Sequence, residues 1–121
     1  DRHDRVRILI EADPLECTLD TAIPVGLIAN EAISNCLKHA FPGERDGTVR
    51  VRLRRLPDAA HPGGLTELLL ADDGIGMPRA AEGEEERGIG MTLIRALATQ
   101  IGAGVSVEHD SGLAIRIRFA E

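Results

Sequence analysis

The sequence predicts an α+β fold, a two-layer α/β sandwich in which a mixed, mainly antiparallel sheet carries helices on one face. Two observations point there. Apolar residues at spacings of three and four run through Ala22 to Phe41 and again through Thr92 to Ile101, the period of amphipathic helices. Between and around them lie short runs rich in Val, Ile and Leu, which gives the order β, β, α, β, β, α, β, β. The 121 residues suffice for one domain, residues 1–121, able to remove roughly two thirds of its unfolded surface from water.

Arg5 to Ala12 (RVRILIEA) is the first strand, broken by Asp13-Pro14, and Glu16 to Leu19 is a short second one. Thr21 is the expected N-cap of the central helix, with Pro24 in its first turn. Along that helix Ile23, Leu27, Ile28, Ala32, Ile33, Cys36, Leu37 and Ala40 supply the core stripe. Glu31, Asn35 and His39 fall at i, i+4 and i+8, with Lys38 three places after Asn35, so these four polar residues share a second stripe. Phe41-Pro42-Gly43 ends the helix.

Thr48 to Leu56 alternates, placing Val49, Val51 and Leu53 inward and Arg50, Arg52 and Arg54 on a solvated outer face. Pro57 to Gly64, which holds His61, is a turn-rich connection, and Thr66 to Ala71 is a strand that delivers Asp72 to its end. The second helix is capped by Gly102. Val105 to Glu108 and Leu113 to Phe119 form a hairpin about His109-Asp110-Ser111-Gly112, with Ile115, Ile117 and Phe119 inward and Arg116 and Arg118 outward.

Composition narrows the function. Hydrophobic content of 43% with 28% charged residues fits a globular chain. The formal charge of −6 argues against a general nucleic-acid binder, because phosphate backbones are held mainly by Lys and Arg clusters. Cys17 and Cys36 stand singly, without Cys-x-x-Cys or a His spaced for zinc, which favours a reduced, cytoplasmic compartment over a disulfide or metal framework. No apolar run reaches the ~18 residues of a membrane span, so no direct membrane contact is expected from this segment. Beginning at Asp1 without an initiator methionine, the chain reads as a segment of a longer protein, with any membrane or sensor part outside it.

Three stretches carry chemistry. The first is the polar helix stripe. The second, Leu68 to Pro78 (LLLADDGIGMP), is an apolar run ending in two carboxylates and a Gly-x-Gly, a sequence that lets backbone turn sharply and approach a ligand. In the third, Arg87 to Ile101, Gly88-x-Gly90 opens a helix, where free N–H groups and the helix dipole favour phosphate. Between the last two lies an acidic segment with Glu82 and Glu84 to Glu86 and no periodicity. Taken singly, each residue has an ordinary reading. Asp72 is then a turn carboxylate, as Asp73 is taken to be, His39 a helix-terminal cation, Lys38 a surface residue and Asn35 a helix-face amide. Ile75, Met77, Ile89 and Leu93 serve equally as pocket wall or as core.

In order, Glu31-x-x-x-Asn35-x-x-Lys38-His39, Asp72-x-Gly74-x-Gly76 and Gly88-x-Gly90 resemble the N box and two glycine boxes of the GHKL (Bergerat-fold) ATP-binding superfamily, over about Ile23 to Phe119. The segments KHAFP and GIGMTLIRALATQIGAGVSVE are most similar to sensor histidine kinases of the subgroup related to the HWE kinases. A chain without tryptophan lacks the Trp-x-Glu that names those kinases.

The resemblance implies ATP with Mg2+ as the ligand. It makes Asn35 the metal ligand, brings Lys38 and His39 to the phosphates, and gives Asp72 the exocyclic amine of adenine. Gly74, Gly76, Gly88 and Gly90 become the close, flexible turns and Met77 and Leu93 the walls. Arg87 is the one residue of the acidic lid placed to help hold a triphosphate. Glu31 corresponds to the glutamate that activates water in the hydrolysing members, whereas in kinases the acceptor is a protein side chain. Leu113 follows Gly112 where related domains often carry threonine, which puts a hydroxyl contact from that strand in doubt.

By the same resemblance the chain is the catalytic domain of a two-component sensor histidine kinase. It would transfer the ATP γ-phosphate to a histidine on a helical dimerisation and phosphoacceptor domain of the same, homodimeric protein, with a response regulator downstream. None of His3, His39, His61 and His109 lies on a long helix suited to be that acceptor. One alternative is a stand-alone anti-sigma-factor serine kinase, whose N box NEAISNCLKHAF also resembles. The other is a non-catalytic nucleotide-sensing module, suggested by the acidic lid.

Overall fold

In the computed structural model, which describes residues 6–39, 46–74, 89–109 and 112–120, the order is β1 (Val6–Ala12), α1 (Leu19–His39), β2 (Gly47–Asp58), β3 (His61–Asp72), α2 (Ile89–Gln100), β4 (Gly104–His109) and β5 (Leu113–Phe119). The strands form one five-stranded sheet in the order β1-β2-β3-β5-β4. Thr66 to Leu70, buried at every position, is its centre, paired antiparallel with β2 on one side and with β5 on the other. Among the described residues the only parallel pair is β1 with β2. That direction follows from α1, which connects the two and so returns the chain to the end from which β1 began.

The expected second strand is absent. After β1, Asp13 closes onto β2, its N–H donating to the Leu53 carbonyl at 2.8 Å and its Oδ2 accepting from the Arg55 N–H at 3.3 Å. Residues 13–18 are irregular, and Pro14 has no N–H to give a sheet. The helix then starts at Leu19 rather than Ala22. Its first accepting carbonyl is that of Thr18, which accepts from the Thr21 N–H at 3.1 Å and from the Ala22 N–H at 2.9 Å. Thr21 is therefore inside the first turn and not the cap, and Pro24 lies in the second turn.

The buried stripe of α1 is narrower than its sequence suggests. Ile28, Ala32 and Cys36 are buried, whereas Ile23, Leu27 and Leu37 are about half exposed. Leu27 precedes Ile28 and Leu37 follows Cys36, so each is turned about 100° off the sheet-facing line. The core joins Ile28 and Ala32 to Met91, Ile94, Leu97 and Ala98 of α2 and, from the sheet, to Val51, Leu68, Leu70, Leu113, Ile115, Ile117 and Phe119. At the end of α2 the Ala103 N–H reaches the Ala98 carbonyl at 2.8 Å and the Gly102 N–H the Thr99 carbonyl at 3.0 Å, with Gly102 at φ 68°. This is the glycine cap the sequence predicts.

Pro57 to Gly64 is not a loose connection. It is the tip of a hairpin, in which β2 runs on to Asp58 and β3 begins at His61 across a register shift between Leu56 and Asp58. Asp58 Oδ2 meets His61 Nδ1 at 2.8 Å, and this hydrogen bond holds the Asp58 carboxyl below its ordinary range. The far tip of the sheet is thus ordered by its own side chains.

On the outer face of the sheet the arginines are not merely solvated. Glu67, in register between Arg54 and Arg118, has a fully covered side chain. It accepts from Arg118 Nε at 2.8 Å and Arg54 Nε at 3.3 Å, with Arg116 Nε at 4.0 Å. Burial acts to raise the Glu67 pKa, but the hydrogen bond and charge of Arg118, helped by Arg54, outweigh it and leave the carboxyl below its ordinary value. Leu69, in register between Arg52 and Arg116, is buried beside them, as expected where arginine stems lie along apolar surface.

A carboxyl depressed on folding stabilises the native state fully above its ordinary value of 4.5 and loses that contribution as pH falls through the lowered one. Glu67→Gln is therefore expected to lower stability at neutral pH by roughly 1–3 kcal/mol, the range for hydrogen bonds to a charged group. Urea unfolding followed by circular dichroism should show the gap between wild type and variant closing as the buffer is taken below that value. A constant gap across the acid range would contradict the ion-pair account.

Candidate functional site

The central strand ends where the sheet, α1 and the start of β5 converge, and Asp72 stands at that point. Its side chain is on the helix-facing side and only 8% exposed. Three donors from three elements hold it. Oδ1 accepts from the Gly74 N–H at 2.9 Å and from the Leu113 N–H at 3.3 Å, and Oδ2 accepts from the Cys36 thiol at 3.3 Å. All three are neutral donors. Among the described residues the carboxylate is fixed in place without a cationic partner, in contrast to Glu67 one face away.

Each donor arrives for a local reason. Cys36 continues the sheet-facing line of Ile28 and Ala32, and sits above Val49. Burial, then the charge of Asp72 and its hydrogen bond, push the thiol up to about 12, so it remains protonated and can donate at neutral pH. Leu113 is brought in by Gly112, which has φ +124° and lies so near the end of β3 that a Cβ there would be 2.0 Å from the Asp72 carbonyl oxygen. Only glycine fits such an approach. The Leu113 backbone N–H bonds Asp72 while its side chain joins the core, so this residue offers no side-chain hydroxyl from the strand.

Asp73 works on the opposite side. Its Oδ1 accepts from the Thr48 N–H at 2.8 Å while its own N–H donates to the Thr48 carbonyl at 3.2 Å, tying the start of β2 to the end of β3. This matches the turn role read from sequence.

The polar stripe of α1 lies next to Asp72 through Cys36, the residue after Asn35. Glu31 and Asn35 are half-buried and Lys38 is exposed, successive turns of one helix face. The stripe continues from Leu27, which with Leu19, Ile23 and Pro24 of α1 and Leu97 and Gln100 of α2 lines a cavity of about 410 Å³. The Asn35 carbonyl and the Glu31 carboxylate are hard oxygen donors one turn apart, a donor set that suits Mg2+. Among the described residues no group of three or more His, Cys, Asp and Glu side chains could hold a metal ion, so a cation here would draw most of its shell from water and phosphate.

His39 is the last residue of α1 and Gly90 lies in the first turn of α2. Leu93 is 41% exposed on α2, and Gly74 is buried beside Asp72. Gly76, Met77, Arg87 and Gly88 fall outside the described residues, as does the acidic segment between them. The structure brings Gly74 to Asp72 and adds two groups that sequence reasoning missed, the Cys36 thiol and the Leu113 N–H, while Asn35 comes near only as the chain neighbour of Cys36. The first was readable in principle, since Cys36 follows Asn35 on the core line of the helix. The second depends on pairing between β3 and β5, which no local pattern reveals.

No helix among the described residues is long and apolar enough to cross a membrane. The blue-light-activated histidine kinase 2 of Erythrobacter litoralis is 27% identical over 107 residues, covering 88% of this chain and 30% of that protein. The anti-sigma F factor of Priestia megaterium is 24% identical over 107 residues, covering 80% of this chain and 69% of its own length. Among solved structures, the histidine kinase domain of an Erythrobacter litoralis blue-light-activated kinase superposes with a TM-score of 0.82 at 26% identity, covering 94% of this chain and 51% of that one. This chain thus spans less than a third of the first of these curated relatives. The sequence model of the histidine kinase-like ATPase domain matches residues 6–119, and with every described element inside that span the chain belongs to this family.

Proposed function

We propose that the chain is the ATP-binding catalytic domain of a sensor histidine kinase, one domain of a longer protein. The observation that carries the reading is Asp72, a buried carboxylate at the end of the central strand, fixed by neutral donors that include the thiol of Cys36, the residue after Asn35. A rigid acceptor of this kind suits the 6-amino group of adenine and disfavours the carbonyl that guanine presents at the same place.

Asn35 would hold Mg2+ with the phosphates, and the ion would neutralise charge on the triphosphate. Lys38 and His39 are assigned to the phosphate oxygens, together with Arg87 and the backbone of Gly88 and Gly90 at the start of α2. Gly76 is read as a turn close to the nucleotide, and Met77 and Leu93 as walls of its pocket. In transfer, a nitrogen of the acceptor histidine bonds to the γ-phosphorus as the bond to the bridging oxygen breaks, and ADP leaves with that electron pair. Glu31 is the base or orienting group on the acceptor side.

The acceptor belongs to a separate helical dimerisation domain, the parent is a homodimer, and a response regulator receives the phosphate next. Among the described histidines, His61 and His109 lie in strands, whereas His39, against expectation, is the last residue of the long helix α1; since His39 is assigned to the phosphates, the acceptor is placed in another domain. The free thiols Cys17 and Cys36 support a cytoplasmic setting. A second reading, an anti-sigma-factor serine kinase, draws support from the relative whose length this chain matches to 69%. Offering labelled ATP together with a histidine-bearing helical hairpin or a small serine-bearing antagonist separates the two by which protein is labelled.

Asn35→Ala is expected to abolish Mg2+-dependent ATP binding by calorimetry while the circular dichroism spectrum is kept, because this side chain is on the polar stripe and outside the core. Asp72→Asn places an amide N–H where adenine donates, and should weaken ATP by about tenfold to a hundredfold, the equivalent of a hydrogen bond to a charged group. Unchanged binding in both variants would refute the site.

A further inference from the structure

The carboxylate of Asp72 has about four lone-pair positions, and the donors around it are unevenly placed. Gly74 and Leu113 take Oδ1, and the Cys36 thiol takes one position on Oδ2. Among the described residues nothing takes the other acceptor position on Oδ2. We propose that Cys36 is a positioning residue that sets base specificity: its thiol fixes the Oδ2 side of Asp72 so that the one remaining position admits an N–H donor and not a carbonyl. This rests on the reading of Asp72 as the adenine acceptor.

The two backbone donors alone would not achieve this. Both act on Oδ1, so the carboxylate could still tilt about its Cβ–Cγ bond, and Oδ2 would be free to recruit a water. Such a water can turn either a hydrogen or a lone pair outward, and would let guanine bind through its carbonyl. The thiol restrains that tilt and occupies one of the two positions at which such a water could sit, which aims the other at the base. It comes from the sheet-facing line of α1, one residue after Asn35, so the helix segment that carries the proposed metal ligand also fixes the proposed base acceptor. Any shift of α1 would move both together.

The test is the ratio of ATP to GTP affinity, measured by calorimetry with Mg2+ on the whole chain, for wild type, Cys36→Ala, Cys36→Val, Cys36→Ser and Asp72→Asn. Alanine leaves room and valine fills it, but neither donates, so both should lower the ATP-to-GTP ratio about threefold to tenfold, the span of one modest hydrogen bond. Serine restores a donor and should restore the wild-type ratio. Valine keeps the experiment informative if alanine compromises folding. Ratios in Cys36→Ala and Cys36→Val equal to wild type, with Asp72→Asn still losing adenine preference, would overturn the positioning role and leave the site reading intact. Loss in serine as large as in valine would also overturn it. If wild type shows no preference and Asp72→Asn changes nothing, the adenine reading itself fails and this inference with it.

Discussion

The structure depends on how one buried carboxylate is satisfied. Asp72 sits where the central strand ends, and removing an ionised group from water is costly unless hydrogen bonds replace the lost hydration. Here the replacements come from the loop after β3, from the first residue of β5 and from the middle of α1. These three segments are far apart in sequence, so the carboxylate can be satisfied only when the sheet has closed and α1 has docked. Gly112 serves the same convergence by letting backbone pass where no side chain fits.

A comparison within β3 shows why this carboxylate reads as functional and Glu67 does not. Both are buried in the same strand. Glu67 faces outward and is surrounded by guanidinium groups of Arg54, Arg116 and Arg118, so its charge is balanced by the protein. Asp72 faces the helices and its recorded partners are neutral, so its charge remains available to a ligand. The outer face thus balances its carboxylate with cations, while the inner end of the same strand carries one held by neutral groups, the feature on which the proposed adenine site rests.

Much of this was readable from the order of residues. Strict alternation in Thr48 to Leu56 gave the two faces of β2, and the apolar run before Asp72 gave the central strand. Gly102 stopped α2 where a left-handed residue was needed. The failures have physical causes. Glu16 to Leu19 looked like a strand because the short run suits either state, and the neighbouring Pro14 together with the closure of Asp13 onto β2 decided against it. Pro57 to Gly64 reads as a turn-rich connection because proline and glycine punctuate it, and the structure shortens that connection by running strand pairing on to Asp58 and His61, with bonds from Asp58 and Arg55 across the tip. Ile23, Leu27 and Leu37 have the helical period but lie beside the buried line, since apolar character alone does not fix how wide an arc a single sheet covers. At the site, Asn35 and Asp72 were legible as residue types in a spacing. The Cys36 thiol and the Leu113 N–H were not, because their roles exist only through tertiary contact.

The central claim is that Asp72 presents one fixed acceptor to adenine beside Asn35. A crystal structure of the chain with Mg2+ and a non-hydrolysable ATP analogue tests it most directly. The account requires the adenine 6-amino group within hydrogen-bond distance of Asp72 Oδ2, with the Cys36 thiol still on that oxygen and the Asn35 carbonyl on the metal. Analogue bound with its base away from Asp72, or an Asp72 side chain turned from Cys36 to meet it, would contradict the account.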